Sequence, residues 1–346
     1  MPEDLPWIFR EWAPIEFHTS PLYAALSPLV AEDPDLLELV AARNPGVHPT
    51  VLFFGAVHHL VLDAPDEELA AFFPSVAGDD ARPPGEAAPA FQAFCAAHLD
   101  ELRHLVRTRF VQTNIARRAV ALRFALTHVV ADGPVDLVEV GASAGVLLSQ
   151  HRFRLRLGDQ VVGPPDAAID VASEWRADGP APDLTRVPSI DQRIAVDRHP
   201  VDPTSADDRR WLRALVWPEN LAQAHQLEAA LGVVAEDPPR IVAGDIGDVA
   251  DRVAASIPDG RPRVVFHAAT RGHVPQDQHQ AFDDAVTRVG RNGPLTVLSM
   301  ETRAPDQPGS DSSDPHFVLT RREDDGPAEV LAFVEAHGAW IEPVTP

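Results

Sequence analysis

The sequence predicts an α/β protein with an all-helical N-terminal part. Up to about residue 130, apolar residues recur at helical spacing. Beyond it, short apolar runs alternate with helical segments, the pattern of a parallel sheet with crossover helices. A third observation narrows the class. The stretch "VDLVEVGASAGVLL", residues 135–148, runs from an apolar strand through a small-residue turn into a second apolar run. Strand, tight turn and helix is how a backbone makes a phosphate cradle, a cofactor pocket or an exposed nucleophile.

In the first 130 residues, "SPLYAALSPLVAEDPDLLELVAAR" reads as two helices broken at Pro34, because proline closes one helix and suits the first turn of the next. "PTVLFFGAVHHLVL" reads as a buried helix, and "FQAFCAAHLDELRHLVRTRF" and "NIARRAVALRFALTHVV" as two long amphipathic ones. "AGDDARPPGEAAP" is a loop by its Pro, Gly and Asp content. Residues 131–346 form the second expected domain. Its strands are expected at 135–140, 193–197, 240–243, 263–268 and 295–300, and its helices at 144–151, 206–231, 247–256 and 276–290. Residues 316–337 close it as an antiparallel hairpin turning at Asp324-Asp325-Gly326. Residues from about 152 to 190 are an insertion that leaves the sheet and returns. Five alternating strands and a terminal antiparallel pair give a Rossmann-like sheet, the arrangement of class I S-adenosylmethionine-dependent methyltransferases.

Composition excludes several functions. The 346 residues carry a net charge of -23, which opposes binding to nucleic-acid backbones. All 29 basic residues are arginine, so no lysine exists for a Schiff base or a P-loop. The single cysteine, Cys95, excludes an internal disulfide and a Cys-rich zinc site; its apolar context reads as a buried, inert thiol. The 15 histidines show no metal-binding spacing, and His58 and His59, being adjacent, point to different sides of a helix. No apolar run reaches membrane-spanning length and no signal peptide opens the chain. The expectation is a soluble, cytoplasmic protein acting on a small molecule, with no metal and no membrane partner; the sequence leaves its oligomeric state open.

The glycine turn admits three readings. Gly141-x-Ser143-x-Gly145 matches the nucleophile elbow of a serine hydrolase, with Asp245 as acid and His316 or His337 as base. That fold normally places several strands before the elbow, whereas about 130 helical residues come first here. A nicotinamide site prefers G-x-G-x-x-G, and Ser143 replaces the middle glycine. Glu139-x-Gly141-x-Ser143-x-Gly145 resembles the first motif of class I methyltransferases. A carboxylate at the strand end receives the methionine ammonium, and glycines let the backbone approach closely. Asp197 would then hold the ribose, arriving late because of the insertion, and Asp245 the adenine. Each of these two acids has a plainer reading, the capping of the next helix. His267 ends a strand at the carboxyl edge, where substrates sit in open α/β sheets; it is the candidate base, with Glu301 second.

Five segments, "FVQTNIARRAVALRFAL", "LVEVGASAGVLL", "DDRRWLRALVWPEN", "VVFHAAT" and "LSMET", resemble in that order a bacterial family designated domain of unknown function 2332. The resemblance spans nearly the whole chain and implies a helical N-terminal part and a methyltransferase-like C-terminal part. Gln112, Thr113, Asn114, Arg117, Arg213, Trp217, His267 and Glu301 match the family pattern. Leu147, His151, Arg152, Phe153, Ile115, Ala268, His273 and Met300 depart from it. Together these observations point to S-adenosylmethionine binding, with methyl transfer to a small molecule. Gln112 and Asn114, expected mid-helix, would either fasten the helical part to the sheet or line the substrate site with Arg117 and Arg213, in a cleft that the helical part closes over the carboxyl edge of the sheet. Trp211 and Trp217 read either as core anchors holding their helix to the sheet or as an aromatic wall beside Arg213. Two alternatives stay open: a non-catalytic member binding a nucleotide-like ligand or a protein, and a serine hydrolase using Ser143.

Overall fold

The computed structural model describes residues 4–302 and 316–344. The chain forms two compact units, residues 1–113 with 204–228, and residues 114–203 with 229–346. This differs from a single boundary at 130, and the reason lies in the helix Arg118–Leu126. Eight of its nine residues are buried, and Phe124 packs against the Trp175 ring at 5.7 Å. It is a sheet-covering helix of the second unit.

The first unit is helical. Ser20 caps Pro21–Glu32 through the amide of Tyr23, and Asp33 caps Pro34–Ala41, so the chain breaks at Pro34 as expected. Pro49–Asp63 is the buried helix, with eleven buried residues. Phe9, Phe17, Tyr23, Phe53 and Phe54 form its aromatic core, Tyr23 stacking on Phe54 at 4.6 Å. The expected long helix around Cys95 is two, Ala88–Ala97 and Leu99–Thr108, parted at His98. The expected helix 206–231 is likewise two, Ala206–Ala214 and Leu221–Glu236, because Pro218 lacks the N–H that a continuous helix needs. Trp211 is an anchor, 1 % exposed, but of this helical unit rather than of the sheet: its Nε1 donates to the carbonyl of Phe110 at 3.0 Å. Cys95 is buried, and burial pushes its thiol up to about 12.

The second unit is a mixed α/β assembly around an eleven-stranded sheet. In chain order the strands are β1 Val135–Val140, β2 Arg154–Leu157, β3 Gln160–Val162, β4 Asp170–Trp175, β5 Ile190–Asp197 and β6 Arg240–Ala243. They continue with β7 Arg263–Ala268, β8 Leu295–Thr302, β9 His316–Glu323, β10 Glu329–Glu335 and β11 Trp340–Pro343. Their order across the sheet is β3-β2-β4-β11-β10-β9-β8-β7-β1-β5-β6. The five strands β6, β5, β1, β7 and β8 are mutually parallel, and β1 at their centre is buried along its whole length, as a strand covered on both faces must be. From β1 the chain moves outward to β5 and β6, then crosses back to β7 on the other side.

The insertion does not stay outside the sheet. Its strands β2, β3 and β4 rejoin it at the far edge, where β4 pairs in parallel with β11. The arginines and acids alternating through "RLRLGDQVV" and "DVASEW" mark strands with one wet face. The terminal hairpin forms as expected, β9 against β10, and β11 adds a third antiparallel strand. On one sheet face, Val138, Val140, Ile194, Val196, Val242, Val265 and Val297 meet Val249 and Val253 of helix Ile246–Ala255 and Phe282 and Val286 of helix His279–Arg288. Strand alternation sends Glu139, Ala195 and Phe266 to the opposite face.

Candidate functional site

Where the chain leaves β1 and later crosses back to β7, the strand order reverses, and in open α/β sheets this is where ligands bind. The end of β1 delivers Glu139 and Val140, and the glycine turn follows at once. Gly141 has φ +78°, and a Cβ there would lie 2.2 Å from Thr270 Oγ1. The glycine is therefore required by the chain itself, since Thr270 donates to the carbonyl of Val140 at 3.1 Å across that spot. Gly145 has φ +74°, and its Cβ would lie 2.6 Å from Pro239 Cγ. Ser143 also takes the left-handed region, at φ +51°.

Ser143 is buried and fastened twice. Its amide donates to Asp197 Oδ2 at 2.7 Å, and its hydroxyl accepts from Asn114 Nδ2 at 2.9 Å. Asp197 ends β5 and also receives the amide of His199 on Oδ1 at 2.7 Å. The turn after the first strand is thus laced to the end of its neighbour. Asn114 lies in non-helical chain ahead of the helix Arg118–Leu126, a correction to the mid-helix expectation for Gln112 and Asn114. Free of a helix ladder, Asn114 can turn its amide onto the turn.

Glu139 is 5 % exposed, and its Oε2 has no hydrogen-bond partner among the described residues. Burial holds its carboxyl well above the usual range, Asp197 adds to this, and Arg118 opposes it. Arg118, 5 % exposed, donates its Nε to the carbonyl of Ala336 at 2.8 Å. Burial pulls its guanidinium down to about 10, against the attraction of Glu301, Glu335 and Glu139. A neutral-leaning acid therefore ends β1, while the Arg118 guanidinium sits beside Ala336 and Phe317 of the terminal hairpin.

A second cluster lies at the ends of β7 and β8. His267 Nδ1 and Glu301 Oε1 are 2.7 Å apart, both side chains buried. Glu301 also accepts the amides of Thr270 at 2.9 Å, Arg271 at 3.0 Å and Gly272 at 3.2 Å. Burial alone would raise the Glu301 carboxyl, but the His267 bond and these amides outweigh it, and its pKa lies below the usual value. An ionised carboxylate only accepts, so His267 donates from Nδ1, and Nε2 is its remaining nitrogen. Val140 and His267 are cross-strand partners; His267 thus points to the face opposite Glu139 while ending at the same edge, its ring edge-on to Phe282 at 5.3 Å.

The other expected residues are placed elsewhere. Asp245 caps helix Ile246–Ala255, accepting the amide of Gly247 at 2.8 Å. Among the described residues Ser143 has no histidine as a hydrogen-bond partner: its hydroxyl accepts from Asn114 and its amide donates to Asp197. Gln112 and Arg213 belong to the first unit, where Arg213 donates to the carbonyl of Ser75 at 3.0 Å. Arg117 is half-buried at the start of the helix of Arg118. Arg118 and Thr270 were not expected. A charged residue inside "NIARRAVALRFAL" was the available signal for Arg118; for Thr270 the sequence has none. Among the described residues no group of three or more His, Cys, Asp or Glu is arranged to hold a metal ion, and no helix is long and apolar enough to cross a membrane.

The sequence profile of a bacterial family described as "Uncharacterized protein conserved in bacteria (DUF2332)" matches residues 8–342. The chain belongs to DUF2332. None of the curated proteins matches this DUF2332 chain. A solved structure titled "DhpI-SAM-HEP complex" is similar to it at 17% identity, over 65% of this chain and 70% of that one, with a TM-score of 0.25.

Proposed function

We propose that the sheet unit is Rossmann-like, of the class I methyltransferase type, and that it binds S-adenosylmethionine at the end of β1 and supports methyl transfer to a small molecule. One observation carries this reading. Glu139 is a buried carboxyl with an unpartnered oxygen, placed where the strand order reverses and beside a left-handed glycine turn. Such a group is costly unless something satisfies it, and an ammonium is what a carboxylate satisfies best.

The fit is good at the methionine end and sparser at the nucleoside end. Asp197 gives an oxygen to each of two amides, and Asp245 caps a helix, so both acids serve the backbone whatever else they touch. When bound, the cofactor supplies an already activated methyl group. The chain's own tasks are then to align the acceptor and to take its proton. His267 Nε2 is suited to the second task because Glu301 fixes Nδ1 and holds the ring's orientation. Glu301 is a positioning residue in this scheme. The serine-hydrolase alternative is less favoured, because the Ser143 hydroxyl bonds Asn114 and Asp245 caps a helix; a non-catalytic ligand binder is the second reading, favoured by the apolar Ala268 and Met300 at the strand ends.

Isothermal titration of the wild-type protein and Glu139→Gln with S-adenosylmethionine and S-adenosylhomocysteine tests the proposal. Binding by the wild type and its loss in a folded Glu139→Gln supports it. Absence of binding by the wild type overturns it.

A further inference from the structure

The helical unit holds a cavity of about 430 Å³, walled by the helices Pro49–Asp63, Ala206–Ala214 and Leu221–Glu236. That size falls within the roughly 300–1,000 Å³ of small-molecule sites. Leu62 and Ala206 give the cavity an apolar side, and Arg209, Arg210, Arg213 and Glu228 a charged one. Residues three and four apart on a helix are neighbours, so the second of these helices turns Ala206 and its arginines to the same wall.

The three arginines are not equivalent. Arg209 Nε donates to Glu228 Oε1 at 3.0 Å. Arg210 is paired with both Asp63 and Asp207, the latter at 3.0 Å. Each of these two brings its counter-charge with it. Arg213 does not. Its Nη2 donates to the carbonyl of Ser75 at 3.0 Å, and among the described residues no carboxylate lies within ion-pair distance of it. A carbonyl orients a guanidinium without neutralising it and leaves most of its five N–H donors unused. The chain has 52 acidic residues against 29 arginines, so an acid could easily have stood opposite Arg213. An uncompensated guanidinium on the wall of a cavity is instead a place for an anion from outside. Arg213 also stands in the last turn of its helix, where a cation suits the helix dipole; that role needs neither a cavity nor an apolar wall.

The surroundings limit the anion. Asp63, Asp207 and Glu228 sit on the neighbouring arginines, so a phosphate dianion would meet one uncompensated positive charge among three fixed negative ones. A carboxylate matches a single guanidinium in charge and in geometry. Leu62 and Ala206 suit an apolar tail on the same molecule.

We propose that this cavity binds a monocarboxylic acid with a short apolar tail, the carboxylate on Arg213 and the tail against Leu62 and Ala206. The site lies wholly in the first unit and stands or falls separately from S-adenosylmethionine binding at the end of β1.

The wild-type protein is titrated with hexanoate, hexanamide, acetate and inorganic phosphate, with nuclear magnetic resonance following the arginine Nε–H and leucine methyl signals. Hexanoate should bind with a dissociation constant of about 1 mM. It should bind about tenfold more tightly than hexanamide, which lacks the charge, and about tenfold more tightly than acetate, which lacks the tail. The signals of Arg213 Nε and of the Leu62 methyls should move together. In Arg213→Gln the gap between hexanoate and hexanamide closes, and in Leu62→Ser the gap between hexanoate and acetate closes. The comparisons within the wild type stand even if a variant fails to fold. Equal affinity for hexanoate and hexanamide overturns the proposal and leaves Arg213 to its helix end. Phosphate binding more tightly than hexanoate overturns it too, as do hexanoate shifts confined to the sheet unit or no binding of hexanoate at about 10 mM.

Discussion

Asp197 Oδ2 accepts the backbone N–H of Ser143 at 2.7 Å, and Oδ1 of the same carboxylate accepts that of His199, also at 2.7 Å. One side chain at the end of β5 thus holds two turns. Ser143 sits at φ +51°, a conformation that a non-glycine residue keeps only when its surroundings impose it.

Replacing Asp197 therefore acts first on stability. Each hydrogen bond to a charged group contributes roughly 1.5–3 kcal/mol, and the ends here are only partly shielded. Asp197→Ala is expected to lose about 2–4 kcal/mol in urea denaturation. Asp197→Asn should fall between, since it retains a single acceptor oxygen. An alanine variant within about 0.5 kcal/mol of wild type would show that the turn stands without this tie.

The first unit should be sensitive to acid through His58 and His59. His58 is held between the carbonyl of Ala214 at 3.0 Å and Ser75 Oγ at 2.7 Å. Burial is the main reason that its pKa falls to about 3 and that of His59 to about 4. A depressed histidine pKa means that the unfolded chain takes up the proton first. The stability these neutral rings contribute is present above about pH 6.5 and is lost as pH falls toward 4 and 3. The slope is at most about 1.4 kcal/mol per pH unit for each ring. Denaturation at pH 7.5 and 5.0 should show this loss in the wild type and a smaller one in His58→Gln. Identical pH dependence in the two proteins would remove His58 from the explanation.

Much of this architecture was legible because it is written in periodicity. The runs at 135–140, 240–243 and 263–268 became strands with those bounds: the first and third are largely apolar segments buried between parallel neighbours, and the second is the short edge strand that pairs with β5. The insertion was less legible. "RLRL" and "DVASEW" are short and half polar, and only the distant partner β11 makes a strand of them. The site divided in the same way. Glu139 and Ser143 follow from the strand–turn pattern, but the cap at Asp245 and the tie at Asp197 use the same residue type as a ribose or adenine contact. Only the donor facing each carboxylate separates those roles. Arg118 stayed hidden because burial of a guanidinium beside Ala336 depends on a contact 218 positions away.

The reading of Glu139 makes a prediction with two faces. Burial, then the neighbouring Asp197, keep its carboxyl pKa well above the ordinary value, with Arg118 opposing. An unfolded chain loses this proton near the ordinary carboxyl pKa while the folded chain retains it. The stability contributed by the protonated group is present below about pH 4.5 and is lost as pH rises through the folded pKa. Glutamine mimics the protonated acid and does not titrate. Glu139→Gln should therefore match the wild type at pH 4.5 and become progressively more stable than it at pH 6 and 7.5, by at most about 1.4 kcal/mol per unit. The same substitution should abolish binding of a cationic ligand, because only the ionised acid attracts an ammonium. In the wild type, binding should tighten as pH rises and release a proton, which titration in buffers of different ionisation enthalpy measures directly. Greater stability with lost binding is the signature of a site strained for its ligand. A Glu139→Gln protein that is no more stable at pH 7.5 than the wild type, or that binds equally well, would mean that this carboxyl is satisfied by the fold and waits for nothing.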